Sequence, residues 1–210
     1  LGDSSLKLHT SLRAPNPRRV DMFLIEKGIT GIEREVYDLN AGEHRSAKFT
    51  AMNPIARVPV LELDDGRFLA ESRAICSYLE NLYPEPNLMG VDAEERAFIE
   101  MADRQVELTL LAAVANHVRH THPGLLPLEN PQFADYAAEQ GRRMVAAAAL
   151  FDELLSKRPW MAGDRFTIAD ITAFCGLEFA RLVKFRPADA GLKHLADWRE
   201  RVAERPSAKL

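Results

Sequence analysis

The chain has 210 residues, enough for one large domain or two small ones with a sizeable core. Apolar residues make up 47% and charged residues 28%, the balance of an ordinary globular protein, and a net charge of −4 carries no basic footprint for nucleic acid. A small molecule is the expected partner. The longest wholly apolar run, residues 144–151, is far too short to cross a bilayer, and no basic-plus-apolar leader opens the chain, so no membrane partner and a cytoplasmic location are expected.

Residues 6–10 read as a first strand. A proline-marked loop follows, then a helix that begins near Asn16 or Pro17 and ends at Gly28, where glycine suits the left-handed cap. A second strand is expected around residues 33–37, and residues 40–54 form a polar stretch without a clear period. Then comes Arg57-Val58-Pro59-Val60-Leu61. Proline donates no backbone hydrogen bond and is expected where a strand opens, which leaves the amide and carbonyl of Val58 free to face a ligand. Asp65-Gly66 between short apolar runs signals a hairpin linking strands at 60–63 and 67–69. A helix over 71–82 opens with Glu71-Ser72. That pair serves plain capping and dipole compensation, and it equally offers a hydroxyl and a backbone N–H to a carboxylate.

Prolines in the stretch 83–90 break all periodicity and mark a linker. Beyond it the pattern is helical. Leu108, Leu111, Ala112, Ala115 and Val118 are expected on one face; so are Met144, Ala147, Ala148, Phe151 and Leu155, and, near the end, Leu192, Leu195, Ala196 and Val202. Phe166-Thr167-Ile168-Ala169-Asp170-Ile171 reads as a capping box, with Asp170 reaching back to the helix start and Phe166 stapling onto Ile171. Cys76 and Cys175 lie inside apolar patterns without C-x-x-C spacing and read as buried, inert thiols. His117, His120 and His122 form no metal-ligand spacing, and no metal is expected.

Taken in order, residues 11–20, Asn53-Pro54, Arg57-Val58-Pro59 and Glu71-Ser72 resemble the glutathione-binding domain of the soluble glutathione transferases, and the likeness covers nearly the whole chain. It is closest in character to the bacterial branches related to the theta, phi and nu classes. The resemblance implies an α/β thioredoxin-like N-terminal domain plus an all-α C-terminal domain, with boundaries at 1–83, a linker at 84–91 and a helical domain at 92–210. It also implies a cis bond at Val58-Pro59, a homodimer, and glutathione as co-substrate. By the same resemblance Val58 and Pro59 hold the cysteinyl backbone, Glu71 and Ser72 the γ-glutamyl carboxylate, and His44, Arg45 and Arg57 the glycyl carboxylate. The helical segment 106–122, with Leu110, Val114 and His117, is expected by analogy to border the acceptor pocket.

The glutathione thiol must ionise to attack, and lowering a thiol pKa from near 8.5 by about two units takes roughly 2.7 kcal/mol of preferential anion stabilisation. Donors near the first helix N-terminus are the natural source. Aligned on Pro15, however, the position where the family sets Ser or Cys is Ala14, and the second thiol position of thioredoxin-like relatives is Pro17. Asn16 carries two readings: an amide donor to the thiolate, as in nu-like relatives, or a helix cap with Pro17 in the first turn. Ser11 is the second candidate. Arg18 and Arg19 either add positive potential or serve as surface or interdomain charges. The expected function is transfer of glutathione to an electrophilic small molecule. A glutathione-dependent disulfide reductase or peroxidase is the alternative, and Ala14 motivates a third reading, a non-catalytic glutathione-binding protein.

Overall fold

The computed structural model describes residues 6–12 and 14–209. Packing divides the chain into two units, residues up to Pro86 and residues from Asn87 to Lys209.

The first unit is built on a four-stranded mixed sheet of order β2-β1-β3-β4, from β1 (Lys7–Thr10), β2 (Glu33–Val36), β3 (Val60–Glu62) and β4 (Phe68–Ala70). β1 runs parallel to β2 and antiparallel to β3, with Leu8 opposite Leu61 and His9 opposite Val60. Because side chains alternate across a strand, Leu8 and Leu61 share one face. Both are fully buried, as are Val20 and Phe23 of α1 (Pro15–Glu26) and Ile75 and Leu79 of α3 (Ser72–Leu82), and α1 packs on α3. Lys27, just past α1, donates to Glu80 at 2.7 Å and to the Pro86 carbonyl at 2.8 Å, a buried pair that ties the two helix ends together.

The other face is half apolar and half ionic. Tyr37, Phe49 and Val60 pack with Met52, Val58 and Ala70. Beside them buried His9 sits 3.2 Å from the Tyr37 hydroxyl and 3.1 Å from Glu62, while Tyr37 donates to Glu35 at 2.8 Å. Hydrogen bonds from Lys48, Lys7 and Tyr37 hold the Glu35 carboxyl down to about 2.

Three local outcomes differ from expectation. The polar stretch 40–54 contains a 3-10 turn, Glu43–Arg45, and a helix, α2 (Ala47–Met52). Ser46 caps that helix by accepting from Phe49 N–H at 3.3 Å, but only Phe49 is buried, so a six-residue helix leaves no periodic signature. α1 starts at Pro15, with Ala14 as its extended N-cap; Asn16 lies inside the first turn and is not the cap. β3 stops at Glu62 and β4 opens at Phe68, each one residue from the expected edge, while the hairpin closes through Leu63 and Arg67 over a three-residue loop with Gly66 in the left-handed region at φ 80°.

The second unit is helical: α4 (Ala93–Gln105), a π segment (Val106–Leu111), α5 (Ala112–Thr121), α6 (Ala134–Leu155), α7 (Ile168–Ala180) and α8 (Lys193–Ala203). The expected face of α6 is buried throughout, and Leu195, Trp198 and Val202 form the inner face of α8. Leu108 departs from its expected face and is 70% exposed. A π segment closes its hydrogen bonds five residues apart and not four, so the helical phase shifts within it and a 3.6-residue reading misplaces its residues. Leu110 and Val114 are fully buried, and the His117 ring bonds the Ala137 carbonyl at 2.8 Å, so these three pin helices together.

α7 runs through the middle of this unit and is buried from Ile168 to Leu177. Its start carries the expected capping box. Asp170 Oδ2 accepts from the Thr167 N–H at 2.9 Å and hydroxyl at 3.3 Å, while Oδ1 accepts from the Met161 N–H at 2.9 Å and Trp198 Nε1 at 2.8 Å. Burial nonetheless pushes this carboxyl up to about 6, the four donors acting against it. His120 and His122 fasten the α5–α6 connection: His120 Nδ1 accepts from Phe133 N–H and His122 Nδ1 from Gly124 N–H. Cys76 and Cys175 are buried and form no disulfide. Among the described residues no group of three His, Cys, Asp or Glu is placed to hold a metal ion, and no helix is long and apolar enough to cross a membrane.

Candidate functional site

The start of α3 is the first half of the site. Chain direction changes between β4 and α3 through Glu71, which takes φ 70° and ψ 114° as N-cap and whose side chain makes no cap hydrogen bond. A non-glycine residue held there stores about 1–3 kcal/mol of backbone strain, and such strain collects at ligand-binding positions. Glu71 is exposed and Ser72, the first helical residue, is buried. With no side chain filling the cap, the α3 N-terminus presents its amide dipoles as an anion-seeking end.

α1 brings two side chains to this point. Asn16 and Arg19 are three residues apart and so share a helix face. Arg19 is fully buried, and its Nη1 lies 3.2 Å from Ser72 Oγ. On the other side of that hydroxyl, Ser72 Oγ lies 3.4 Å from Asn16 Oδ1. The Asn16 carbonyl therefore faces Ser72, and the NH₂ of the same amide points away from it. Arg19 is thus not a surface charge. Ser11 lies buried at the end of β1, and Ala14, at the position where a hydroxyl or thiol is usual, contributes only a methyl group.

The second half is the loop into β3. Asn53 is buried and clips it shut: Nδ2 donates to the Arg57 carbonyl at 2.9 Å, and Oδ1 accepts from Ile55 N–H at 3.2 Å. Ala56 takes φ 54° inside this clip, Val58-Pro59 is cis, and the strand begins only at Val60, leaving Val58 outside it. His44 is buried in the Glu43–Arg45 turn. Burial, with the charges of Arg45 and Arg57 adding to it, holds its imidazole below the usual histidine range. Its Nδ1 has no hydrogen-bond partner among the described residues. This buried ring nitrogen lies open beside the exposed side chains of Arg45 and Arg57.

The candidate residues therefore fall into two groups, Asn16 with Glu71 and Ser72, and His44 with Arg45 and Arg57, with Val58 and Pro59 on the clipped loop. Arg19 and Asn53 complete the groups, Arg19 by bonding Ser72 and Asn53 by holding the loop. For Asn53 a signal existed, since asparagine side chains bond their own backbone in turns and this one precedes Pro54. For Arg19 the sequence offers only a charge near the first helix start, because its partner Ser72 lies far along the chain.

Comparison with known proteins agrees with this geometry. Residues 14–82 match the glutathione S-transferase N-terminal domain and residues 110–206 the C-terminal domain. Glutathione S-transferase 2 of Saccharomyces cerevisiae is 38% identical over 93% of this chain and 84% of its own length. A crystal structure of a glutathione S-transferase domain-containing protein from Marinobacter aquaeolei superposes with a TM-score of 0.91 at 42% identity, covering 97% of this chain and 100% of that one. Gtt2 from Saccharomyces cerevisiae does so with the same TM-score at 36% identity, covering 97% and 98%. A thioredoxin-like unit followed by a helical one, matched along nearly its whole length, places the chain in the soluble glutathione S-transferase superfamily.

Proposed function

We propose that the protein is a glutathione transferase that binds reduced glutathione on its first unit, stabilises the thiolate and transfers it to an electrophilic small molecule. One observation carries this: a single thioredoxin-like unit holds two separate anion-seeking places, the open α3 start and the His44, Arg45 and Arg57 group. Glutathione has a carboxylate at each end. Ser72 and Glu71 suit the γ-glutamyl end, His44, Arg45 and Arg57 the glycyl end, and Val58 with Pro59 the cysteinyl backbone between them. Asn16 is the leading donor to the thiolate through its NH₂, and Ser11 the second. The chemistry asked of the protein is binding, orientation and anion stabilisation. Within this reading residues 1–83 bind glutathione, residues 84–91 link, and residues 92–210 supply the acceptor contacts, with exposed Leu108 of the π segment among them.

The test is conjugation of a chloro-nitroaromatic by the purified protein, together with the thiolate absorbance of bound glutathione at neutral pH. Turnover above the buffer rate with thiolate absorbance that is lost in Asn16→Ala supports the assignment. Ala14 favours a second reading, a glutathione-binding protein without transferase activity, and an unshifted thiol in the bound state would establish it. Turnover of hydroxyethyl disulfide or cumene hydroperoxide in place of conjugation would point to the reductase or peroxidase alternative, with two glutathiones per cycle.

A homodimer and a cytoplasmic setting belong to the same proposal. Phe98 and Met101 of α4 lie three residues apart and are 55% and 47% exposed, an apolar face that a second copy would cover. Sedimentation should give a dimer, and Phe98→Glu a monomer. The two reduced cysteines suit a reducing compartment.

A further inference from the structure

Ser72 sits between two side chains of α1, and their chemistry fixes the direction of its hydrogen bonds. A guanidinium has five donors and no acceptor, so Arg19 Nη1 must donate and Ser72 Oγ must accept. A hydroxyl carries one proton. With one of its two lone pairs engaged by Arg19, the hydroxyl turns that proton to the far side, where Asn16 Oδ1 lies 3.4 Å away. We infer that Arg19 is a positioning residue for the γ-glutamyl end: it sets Ser72 as a donor toward an acceptor that is Asn16 Oδ1 in the free protein and the ligand α-carboxylate when glutathione is bound. The inference rests on the reading of Ser72 as a glutathione ligand.

Two further features support it. Serine at a helix start readily turns its hydroxyl to local backbone groups, and a fixed donor behind it removes that freedom. Arg19 is also fully buried, so its hydrogen bond polarises the Ser72 hydroxyl with little screening by water, close to the positive end of α3. An acceptor bearing negative charge is favoured there over a neutral one. Arg19 thereby makes this end of the site selective for a carboxylate and not merely for any hydrogen-bond acceptor.

The test compares two ligands, glutathione and its analogue with the γ-glutamyl α-carboxylate converted to a carboxamide, by calorimetric titration. Wild type should prefer glutathione. Arg19→Met should weaken glutathione by roughly tenfold to thirtyfold, the range of a hydrogen bond to a charged group, and the carboxamide by less than about threefold. The double variant Arg19→Met/Ser72→Ala should bind glutathione within about twofold of Ser72→Ala alone, because Arg19 acts through Ser72. Equal weakening of both ligands, or single-variant effects that multiply in the double variant, would overturn the inference. Arg19→Lys keeps the charge but not the planar fork and should fall between wild type and Arg19→Met in its ligand preference. If Arg19→Met does not fold, the preference measured in Arg19→Lys decides. If neither folds, Arg19 is a structural charge and the inference fails. A wild type that binds glutathione while these variants keep its preference sinks only this inference; a wild type that binds no glutathione sinks the functional reading beneath it as well.

Discussion

α3 and α7 start in opposite ways, and the contrast separates an open helix end from a closed one. At α7, Thr167 and Asp170 close the box, and the carboxylate also collects donors from Met161 and Trp198, so the helix start is buried and satisfied. At α3, Glu71 occupies the cap in a left-handed conformation without capping, and Ser72 is held by α1. The filled end fastens α7 to α8 and to the preceding loop, and the open end keeps amide dipoles available for an anion.

Removing the acceptor at each end should break the two differently. Asp170→Ala orphans four buried donors and should cost roughly 3–5 kcal/mol, lowering the melting temperature by about 10 °C. Glutathione affinity, measured below that melt, should change little. Ser72→Ala should reverse the pattern: roughly 1–2 kcal/mol of stability, from the one Arg19 hydrogen bond it removes, and about a tenfold loss of glutathione affinity. Thermal melts and titrations on both variants check the pair. A large stability loss in Ser72→Ala would erase the distinction.

Acid titration sharpens the same contrast. Burial lifts Asp170 to about 6, against about 3.9 for an exposed aspartate. The folded state then holds this proton more tightly than the unfolded chain does. Stability from the group is fully present below pH about 4 and falls, by up to about 3 kcal/mol, as pH rises towards 6. Glu35 behaves in the opposite sense. Lys48, Lys7 and Tyr37 pull it to about 2, so its contribution is present above pH about 4.5 and is lost as pH falls towards 2. Urea unfolding across this range should show the stability advantage of wild type over Asp170→Asn shrinking as pH rises, and that over Glu35→Gln shrinking as pH falls. A difference independent of pH for Asp170→Asn would mean that its four donors just cancel burial, and an advantage that grows as pH rises would mean that they outweigh it.

Features that depend on local chemistry were readable along the chain. The capping box, the hairpin at Gly66, the cap at Gly28 and the buried face of α6 each follow from residue type and spacing. What escaped depends on phase or on distant neighbours. Leu108 is displaced by a π segment that changes the helical repeat, and α2 is too short, with Phe49 alone buried, to show a period. The roles of Arg19 and Asn53 come from Ser72, fifty-three residues away, and from the fold of a single loop. Glu71 and Ser72 were legible as a pair, whereas the left-handed backbone that leaves the cap open was not.

The smallest expected effect concerns that backbone. Ala56 and Glu71 are both non-glycine residues in the left-handed region, at φ 54° and φ 70°. Glycine at either site relieves about 1–2 kcal/mol of steric cost, but it also adds about 0.4–1 kcal/mol of freedom to the unfolded chain. Ala56→Gly and Glu71→Gly should therefore each shift stability by about 1 kcal/mol or less, in the stabilising direction. Binding tells them apart. Ala56 is placed by the Asn53 clip and brings no polar side chain, so its glycine variant should bind glutathione as wild type does. Glu71 stands at the open end of α3, where its carboxylate can meet the ligand amino group, and its glycine variant should bind several-fold more weakly. Equal affinity in both variants would assign Glu71 to turning the chain, leaving recognition at α3 to Ser72 and the helix amides.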